Sequence, residues 1–216
     1  MSKLNPDKLT KSISSMLQSA KAKKRNFVET VELQFTLKFY DPKKDKRFAG
    51  TTKVPHPIRP SIRVCIIGDA AHIDVAKEMK LDYIDFEGVK GFMKKDKEIK
   101  KWSKKYDAFF ASDTLLKRVT RIIGPVLNKQ GKFPILIKHT DSIEEKIKEL
   151  NSTVSFQLKK SINIHTAIGN IKTTPDHLKA NMTTAINFFV SLLKKNWQNV
   201  KSIHIKTTMS PSFRIY

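Results

Sequence analysis

The chain has 216 residues, of which 39% are hydrophobic, enough to build one large core or two modest ones. Its formal net charge of +22 does not help folding, because like charges repel in a compact chain; it indicates a polyanionic partner, most commonly nucleic acid, with a membrane surface as the alternative. No apolar run is long enough to span a bilayer, we expect no signal peptide, and the single cysteine, Cys65, excludes an internal disulfide.

The positive charge is concentrated towards the two ends of the chain. Residues 61–154 carry 19 Lys and Arg against 14 Asp and Glu, whereas residues 1–60 and 155–216 together carry 23 against 6. We therefore predict that both termini fold into one basic domain and that residues 61–154 form an inserted, nearly neutral domain. The prolines of KVPHPIRPS predict one crossing near Pro60, and the return is expected near Val154.

The first flank predicts a helix followed by a strand. LNPDKLTKSISSMLQSAKAKK has a capping residue at Asn5 and a proline, Pro6, at the first helical position. The residues expected on its buried face are Leu9, Ile13, Met16 and Ala20. FVETVELQFTLKFYD then alternates with a period of two, as a strand with one buried face does. The side expected to face the core comprises Val31, Leu33, Phe35, Leu37 and Phe39.

The middle of the chain alternates between short apolar runs and helical patterns. RVCIIGD, LDYIDF and DAFFASD are typical of strands, and the first of them is apolar throughout, as in a strand buried on both faces. AAHIDVAKEMK, DTLLKRVTRII and SIEEKIKEL predict helices between and after them. This alternation predicts a small, parallel, Rossmann-like α/β domain.

The second flank returns to the pattern of the first. TVSFQLKK and SINIHTAIG predict strands, TTPDHLKANMTTAINFFVSLLKKN predicts a helix that Thr174 can cap, and VKSIHIKTT predicts a last strand. The predicted fold class is therefore α/β. It has an α+β terminal domain, with an antiparallel sheet and two helices, and an inserted parallel α/β domain.

Catalytic and metal-binding patterns are weak. There is no Walker loop, Gly68 lacks the partner glycines of a dinucleotide site, and six histidines have no ligand spacing, so we expect no cofactor and no metal. His72 and Asp74 could form an acid–base pair, but neighbours at a helix start are more often solvated. Ser112 lies where α/β enzymes keep catalytic groups, yet no base is brought to it, and a turn residue is expected.

The polar side of the terminal sheet suits RNA. It is rich in hydroxyl, amide and imidazole groups, which can bind ribose and phosphate. Its expected members are Thr30, Glu32, Gln34, Thr36, His165, Ser202, Lys206 and Thr208. Long-range attraction for phosphate is expected from Lys23, Lys24, Arg25, Lys43, Lys44, Lys46 and Arg47.

Four segments together resemble a known family. FVETVELQFTLKFYDPKKDKRFAGTTKVPHP, IIGPVLNKQGKFP, IHTAIGN and SIHIKTTMSPSFRIY are similar to the universal large-subunit ribosomal protein family of the stalk beside the tRNA exit site. It is called L-one in bacteria and archaea and L-ten-a in eukaryotes. The resemblance covers essentially the whole chain, and VLNKQGKFP with the compact length resembles the eukaryotic L-ten-a type.

The resemblance implies a non-enzymatic constituent of the large ribosomal subunit. Such a protein binds stalk helices of ribosomal RNA and helps release deacylated tRNA from the exit site. Its implied partners are that RNA, exit-site tRNA and neighbouring ribosomal proteins, with no membrane and no small-molecule substrate. Its implied location is the cytoplasmic ribosome, with nucleolar assembly in a eukaryote. The two domains would hinge at their crossings.

The resemblance also implies RNA-contacting residues. Phe27, Ser202, Thr208 and Met209 match the family by motif, although Met209 could instead fill a gap in the core. Ser210 stands where many members carry glycine; if that glycine serves a positive φ or a close backbone approach, strain or a shifted contact is expected at Ser210. The full set of expected RNA contacts is Phe27, Thr30, Glu32, His165, Gly169, Ser202, Lys206, Thr208, Met209, Ser210 and Pro211.

Two other functions remain open at this point. One is a ribosome-biogenesis factor of the same fold, which acts off the mature particle. The other is an RNA-acting enzyme with its catalytic groups in the inserted domain, which requires a titratable cluster in a cleft.

Overall fold

The computed structural model describes residues 4–23, 25–42, 44–93 and 95–216. Two residues expected to attract phosphate, Lys24 and Lys43, lie outside this described part. The chain divides into two compact units, the first of which combines the described residues up to Pro60 with Glu149–Tyr216. The second unit is Ser61–Lys148.

Helices and strands follow one another along the whole described chain. In order, the elements are α1 (Pro6–Ala22), β1 (Thr30–Leu37), β2 (Ala49–Lys53), β3 (Val64–Ile67), α2 (Ala70–Glu78), β4 (Asp82–Ile84), α3 (Phe86–Lys90), α4 (Asp96–Ser103), β5 (Ala108–Ser112), α5 (Asp113–Ile122), α6 (Gly124–Gln130), β6 (Ile135–Ile137), α7 (Ile143–Asn151), β7 (Thr153–Gln157), β8 (Asn163–Asn170), α8 (Pro175–Leu192), β9 (Val200–Thr207) and β10 (Phe213–Arg214). A short 3-10 helix, Asn196–Asn199, precedes β9. None of the helices described is both long and apolar enough to cross a membrane.

The first unit is built on an antiparallel sheet with the order β10-β9-β1-β8. Alternate residues of β1 and β9 are buried, so the sheet has one core face and one outer face. Helices α1 and α8 contribute their apolar stripes to the same hydrophobic core as the inner residues of β1. A separate two-stranded antiparallel sheet pairs β2 with β7.

The start of α1 agrees with the sequence pattern. Asn5 is the capping residue, and its Oδ1 accepts hydrogen bonds from the backbone N–H groups of Asp7 and Lys8, at 3.0 and 3.3 Å. Pro6 opens the helix, where its missing N–H costs nothing. The predicted stripe is buried as expected: Leu9, Ile13, Met16 and Ala20.

The prediction for Phe39 is wrong. Its side chain is 85% exposed, and its φ of 55° lies in the left-handed region. The strand β1 ends at Leu37 because Asn199 then binds the chain: Lys38 N–H donates to the Asn199 carbonyl at 2.8 Å, and Asn199 Nδ2 donates to the Lys38 carbonyl at 3.2 Å. These contacts take the backbone out of the alternating register, so Phe39 no longer faces the core.

The second unit contains a parallel sheet with the order β4-β3-β5-β6. All four residues of β3 are buried, as the apolar run predicted. Burial raises the pKa of the Cys65 thiol to about 12, so it stays protonated and unreactive at neutral pH. The strands β3 and β5 are neighbours, and each continues into a helix at its carboxyl end.

The second unit ends at Lys148 rather than at 154. Asn151 already belongs to the first unit, because its side chain accepts from the Arg59 N–H at 3.1 Å and donates to the Arg59 carbonyl at 2.8 Å. The Asn151 carbonyl also accepts from Ile58 N–H, and the Ser152 carbonyl from Val54 N–H. The division therefore falls before these contacts.

Candidate nucleic-acid interface

Polar side chains form rows across the outer face of the four-stranded sheet. The strand β1 lies between β8 and β9, and its outer residues are all half-buried. Three aligned rows, written from β8 through β1 to β9, are Asn163–Thr36–Ser202, His165–Gln34–His204 and Ala167–Glu32–Lys206. Seven of the residues that the sequence placed on this face lie on it: Thr30, Glu32, Gln34, Thr36, His165, Ser202 and Lys206.

His204 was not among the expected contacts, although it stands in the middle row beside Gln34. Burial, followed by the nearby charge of Arg214, lowers the pKa of His204 below its usual range. The imidazole is therefore neutral at neutral pH and offers one donor and one acceptor to a ligand. Its alternation with Ile203 and Ile205 in the sequence was the signal that placed it on this face.

A buried carboxylate, Glu29, organises one end of the sheet. Glu29 precedes β1 and is 2% exposed. Its Oε2 accepts a hydrogen bond from Thr207 Oγ1 at 2.7 Å and another from the Met209 N–H at 3.0 Å. Its Oε1 lies 3.0 Å from Arg25 Nε. Glu29 thereby joins the segment after α1 to the turn after β9.

The hydrogen bonds keep Glu29 ionised. Burial by itself opposes ionisation, but the hydrogen bonds from Thr207 and Met209, together with the charge of Arg25, outweigh it and hold the pKa of Glu29 below its usual range. A buried carboxylate with this many donors is stably oriented. Glu29 was not predicted from the sequence, because a carboxylate is not expected on the core side of a strand. The period-two alternation with Val31 and Leu33 was the signal that could have placed it there.

The turn after β9 is held in shape by Ser210. The Thr207 N–H donates to Ser210 Oγ at 3.0 Å. Among the described residues, the non-glycine residues with positive φ are Phe39, Lys80 and Asn196, so Ser210 does not adopt that conformation. Strain from a positive φ is therefore absent at Ser210, where serine fits the turn with an ordinary backbone and adds a hydrogen bond to it. The other expectation, a shifted RNA contact, stays a prediction.

Apolar side chains project beside the Glu29 network. Phe27 is 54% exposed, and Met209, whose N–H binds Glu29, is 56% exposed. The interpretation of Met209 as a core filler is wrong, since a core residue is shielded from water. An open pocket of about 480 Å³ is lined by the end of α1, by residues 25–29 and by Ile171 and Lys172.

Thr208 is exposed next to this turn, and its hydroxyl has a partner in the protein. The Thr30 N–H donates to Thr208 Oγ1 at 3.2 Å. In the other direction, Thr208 Oγ1 lies 3.5 Å from the Thr30 carbonyl, which is long for a hydroxyl hydrogen bond. An RNA oxygen can therefore compete for the hydroxyl proton while the Thr30 contact holds the side chain in place.

Two expected site residues have structural roles in the first unit. Gly169 is buried, and a Cβ built on it would lie 2.6 Å from Leu178 Cδ2 of α8, so glycine is needed there for helix packing. Arg25 is only 26% exposed and pairs with Glu29, so its charge is partly used within the fold. The other described residues expected to attract phosphate, Lys23, Lys44, Lys46 and Arg47, are exposed.

Comparison with known proteins identifies relatives over the full length of the chain. The profile of the Ribosomal protein L1p/L10e family matches residues 17–211. Large ribosomal subunit protein uL1 of Spodoptera frugiperda is 49% identical over 215 residues, covering 100% of this chain and 99% of that protein. The uL1 protein of Drosophila melanogaster is also 49% identical, with the same coverage. Large ribosomal subunit protein uL1z of Arabidopsis thaliana is 47% identical over 216 residues, covering all of both chains.

Proposed function

The chain belongs to the ribosomal protein L1p/L10e family, and we propose that it is a structural constituent of the large ribosomal subunit that binds ribosomal RNA through its terminal unit. The observation that carries this proposal is the Glu29 network. It presents Met209 and Thr208 on a fixed turn beside the polar rows of the sheet. A site prepared in this way loses little conformational entropy on binding.

The chemistry of this surface supports RNA as the ligand. Hydroxyl, amide and imidazole groups on the sheet can pair with ribose 2′-OH groups and phosphate oxygens. Exposed Phe27 and Met209 offer apolar contact to ribose or base. Gly169 is left out of the proposed contacts because its position is explained by packing.

The charge of the same unit supports long-range attraction. The residues 1–60 and 149–216 carry 23 Lys and Arg against 7 Asp and Glu, while 61–148 carry 19 against 13. Lysines release counterions when they contact phosphates, so they add affinity without requiring exact positions. Within this one unit, the lysines are thus assigned the long-range attraction, and the residues of the turn and the sheet are assigned the direct contacts.

The finer role follows from the family. We propose that the bound protein and its RNA form the stalk next to the tRNA exit site, and that this stalk helps release deacylated tRNA. The role is non-enzymatic, and the proposed location is the cytoplasmic ribosome, with assembly in the nucleolus of a eukaryotic cell. Neighbouring ribosomal proteins are proposed as further partners.

Sedimentation of cell extracts tests the proposal. We expect the protein to migrate with mature large subunits at low salt and to be released as salt is raised. Migration only with precursor particles would instead identify a ribosome-biogenesis factor. Absence from both particles would overturn the proposal.

A further inference from the structure

The second unit gathers titratable side chains at the carboxyl edge of its parallel sheet. Asp69 follows β3, Ser112 ends β5, and His139 follows β6. His72 lies in the first turn of α2. The strand order reverses between the adjacent strands β3 and β5, because the chain goes from β3 to β4 at one edge of the sheet and from β5 to β6 at the other. Open parallel sheets bind ligands at such a reversal, outside the carboxyl ends of the strands.

We propose that Asp69, His72 and His139 bind a divalent transition-metal ion, with Zn²⁺ as the best fit. One donor atom from each of the three residues lies within 4.8 Å of the others. Two imidazoles and a carboxylate form a donor set suited to zinc, and three protein ligands leave a fourth position for water. No part of this proposal depends on the RNA surface of the first unit.

His72 is the strongest indication of a missing ligand. Its side chain is buried, with 6% of the residue exposed, and within the described part of the chain neither ring nitrogen has a hydrogen-bond partner. A buried polar atom without a partner is costly, and native folds rarely keep one without a reason. Coordination through one ring nitrogen would supply the missing interaction.

Gly68 leaves room for the His72 side chain because glycine has no Cβ. A Cβ built on Gly68 would lie only 2.8 Å from His72 Cβ, so a larger residue would displace the imidazole. The His72 ring stacks on that of His139, with centroids 4.4 Å apart and planes inclined by 29°. Because His139 is exposed, its ring can turn towards a bound ion without disturbing the core.

Asp69 is oriented towards the same point. It occupies the capping position of α2, but its side chain does not cap the helix. Instead, its Oδ2 accepts hydrogen bonds from Ser112 Oγ, at 2.9 Å, and from Thr114 Oγ1. Within the described chain these bonds converge on Oδ2, which leaves Oδ1 for an ion. Hydroxyl groups that fix a liganding carboxylate in this way are a common feature of metal sites.

The charges favour a cation over an anion. A phosphate in the same place would be repelled by the Asp69 carboxylate. Asp141 and Glu144 line the adjoining pocket of about 310 Å³, which His72 and His139 also line. Ligand atoms about 2.0 Å from a tetrahedral zinc lie roughly 3.3 Å apart, so donor atoms that are up to 4.8 Å apart here must approach each other by at most about 1.5 Å on binding.

Titration of the full-length, untagged chain with ZnCl₂ tests the site. We expect one Zn²⁺ per chain by calorimetry and a higher melting temperature in the presence of zinc, because an ion that binds only the folded state stabilises it. Co²⁺ should give the visible absorption of a tetrahedral complex. Absence of saturable binding of one ion per chain would overturn the proposal and leave a stacked histidine pair.

Variants separate this site from adventitious binding. His139→Ala alters an exposed residue, so the fold should survive, and zinc affinity should fall at least about tenfold. Thr114→Val should lower the affinity by roughly 10-fold through the orientation of Asp69. His165→Ala, an exposed histidine of the first unit, is the matched control and should bind zinc like the parent chain. Equal affinity in His139→Ala and the parent chain would overturn the assignment.

Discussion

The Glu29 carboxylate links the turn after β9 to the segment after α1. It accepts from Thr207 and Met209 and pairs with Arg25. A buried acceptor of this kind contributes more through the cost of removing it than through any single bond. Replacement of its charge therefore affects three segments at once.

Glu29→Gln should lower the unfolding free energy by about 1–3 kcal/mol, because Arg25 loses its charged partner and one donor of the turn loses a strong acceptor. RNA affinity should fall as well, since the turn that carries Met209 is less well fixed. Urea unfolding and RNA titration measure the two effects. Glu98→Gln, at an exposed ion pair with Lys95, is the control and should change neither.

Ionisation of Glu29 makes the unfolding free energy depend on pH. The folded-state pKa of Glu29 is lower than the usual 4.5, so ionised Glu29 stabilises the fold fully above that usual value. The contribution is lost as the pH falls through the folded-state pKa. The unfolding free energy of the parent chain should therefore drop in acid more steeply than that of Glu29→Gln. Parallel pH profiles for the two chains would contradict the assigned role of Glu29.

Single substitutions distinguish residues that contact RNA directly from residues that attract it by charge. Thr208→Ala should weaken RNA binding by about 1–3 kcal/mol, through an unpaired RNA group, and should leave the salt dependence unchanged. Met209→Ala should weaken RNA binding by about 1–2 kcal/mol, because apolar contact with the RNA is lost.

Lys44→Ala is the contrasting variant, because an exposed lysine acts as a screened charge. Lys44→Ala should weaken RNA binding by roughly 1 kcal/mol or less and flatten the slope of log K against log salt by about one unit. RNA titrations across a salt series, with thermal melts as a folding control, distinguish the three variants. If Thr208→Ala and Met209→Ala bind like the parent chain while folded, the turn is not an RNA contact.

At the level of elements, packing of α8 on β8 depends on Gly169. A methyl group there would lie 2.6 Å from Leu178 Cδ2, closer than real contacts allow. Gly169→Ala should therefore lower the unfolding free energy by about 1–3 kcal/mol, as overpacked cores do. The double variant Gly169→Ala/Leu178→Ala should be less destabilised than the sum of the two single variants, because the clash is then removed. Additive effects in urea unfolding would show that the two residues do not compete for space.

The elements that the sequence predicted well are those whose burial repeats with a simple period. The helix α1 and the strands β1 and β9 have one apolar stripe each, so the spacing of their apolar residues indicates which face is buried. The short strand β6 and the short helix α3 were not predicted, because three to five residues contain no full period. Phe39 was misplaced because its exposure depends on Asn199, which is distant in sequence.

The sites were harder to predict than the elements for a similar reason. Glu29 becomes a network only when Thr207 and Met209 arrive from the other end of the chain. Asp69, His72 and His139 showed no ligand spacing, since parallel strands bring together residues that follow separate strands. Periodicity reports which face a residue occupies, but it does not report which distant residues it meets.

For the whole molecule, strand pairing makes the two ends of the chain dependent on each other. The central strand β1 pairs only with β8 and β9 within the four-stranded sheet, and β2 pairs with β7. Among the described residues before Pro60, each strand thus has its partners in residues 149–216. The pairs of the parallel sheet lie within Ser61–Lys148. We therefore propose that the termini fold as one domain and that the middle segment is an independent one.

Fragments of the chain test this organisation. A fragment of residues 61–148 should show helical circular dichroism and a cooperative thermal transition by itself, because its sheet and core are complete. A fragment of residues 1–60 should be unfolded alone, since its strands would lack all their partners and would expose the apolar face of β1. Mixing it with residues 149–216 should restore strand signal and RNA binding. The fragment 61–148 should bind the same RNA weakly, because it lacks the turn after β9 and the excess of positive charge. A cooperative transition in isolated 1–60 would contradict the inserted-domain organisation. RNA affinity in 61–148 equal to that of the full chain would contradict the location of the RNA surface.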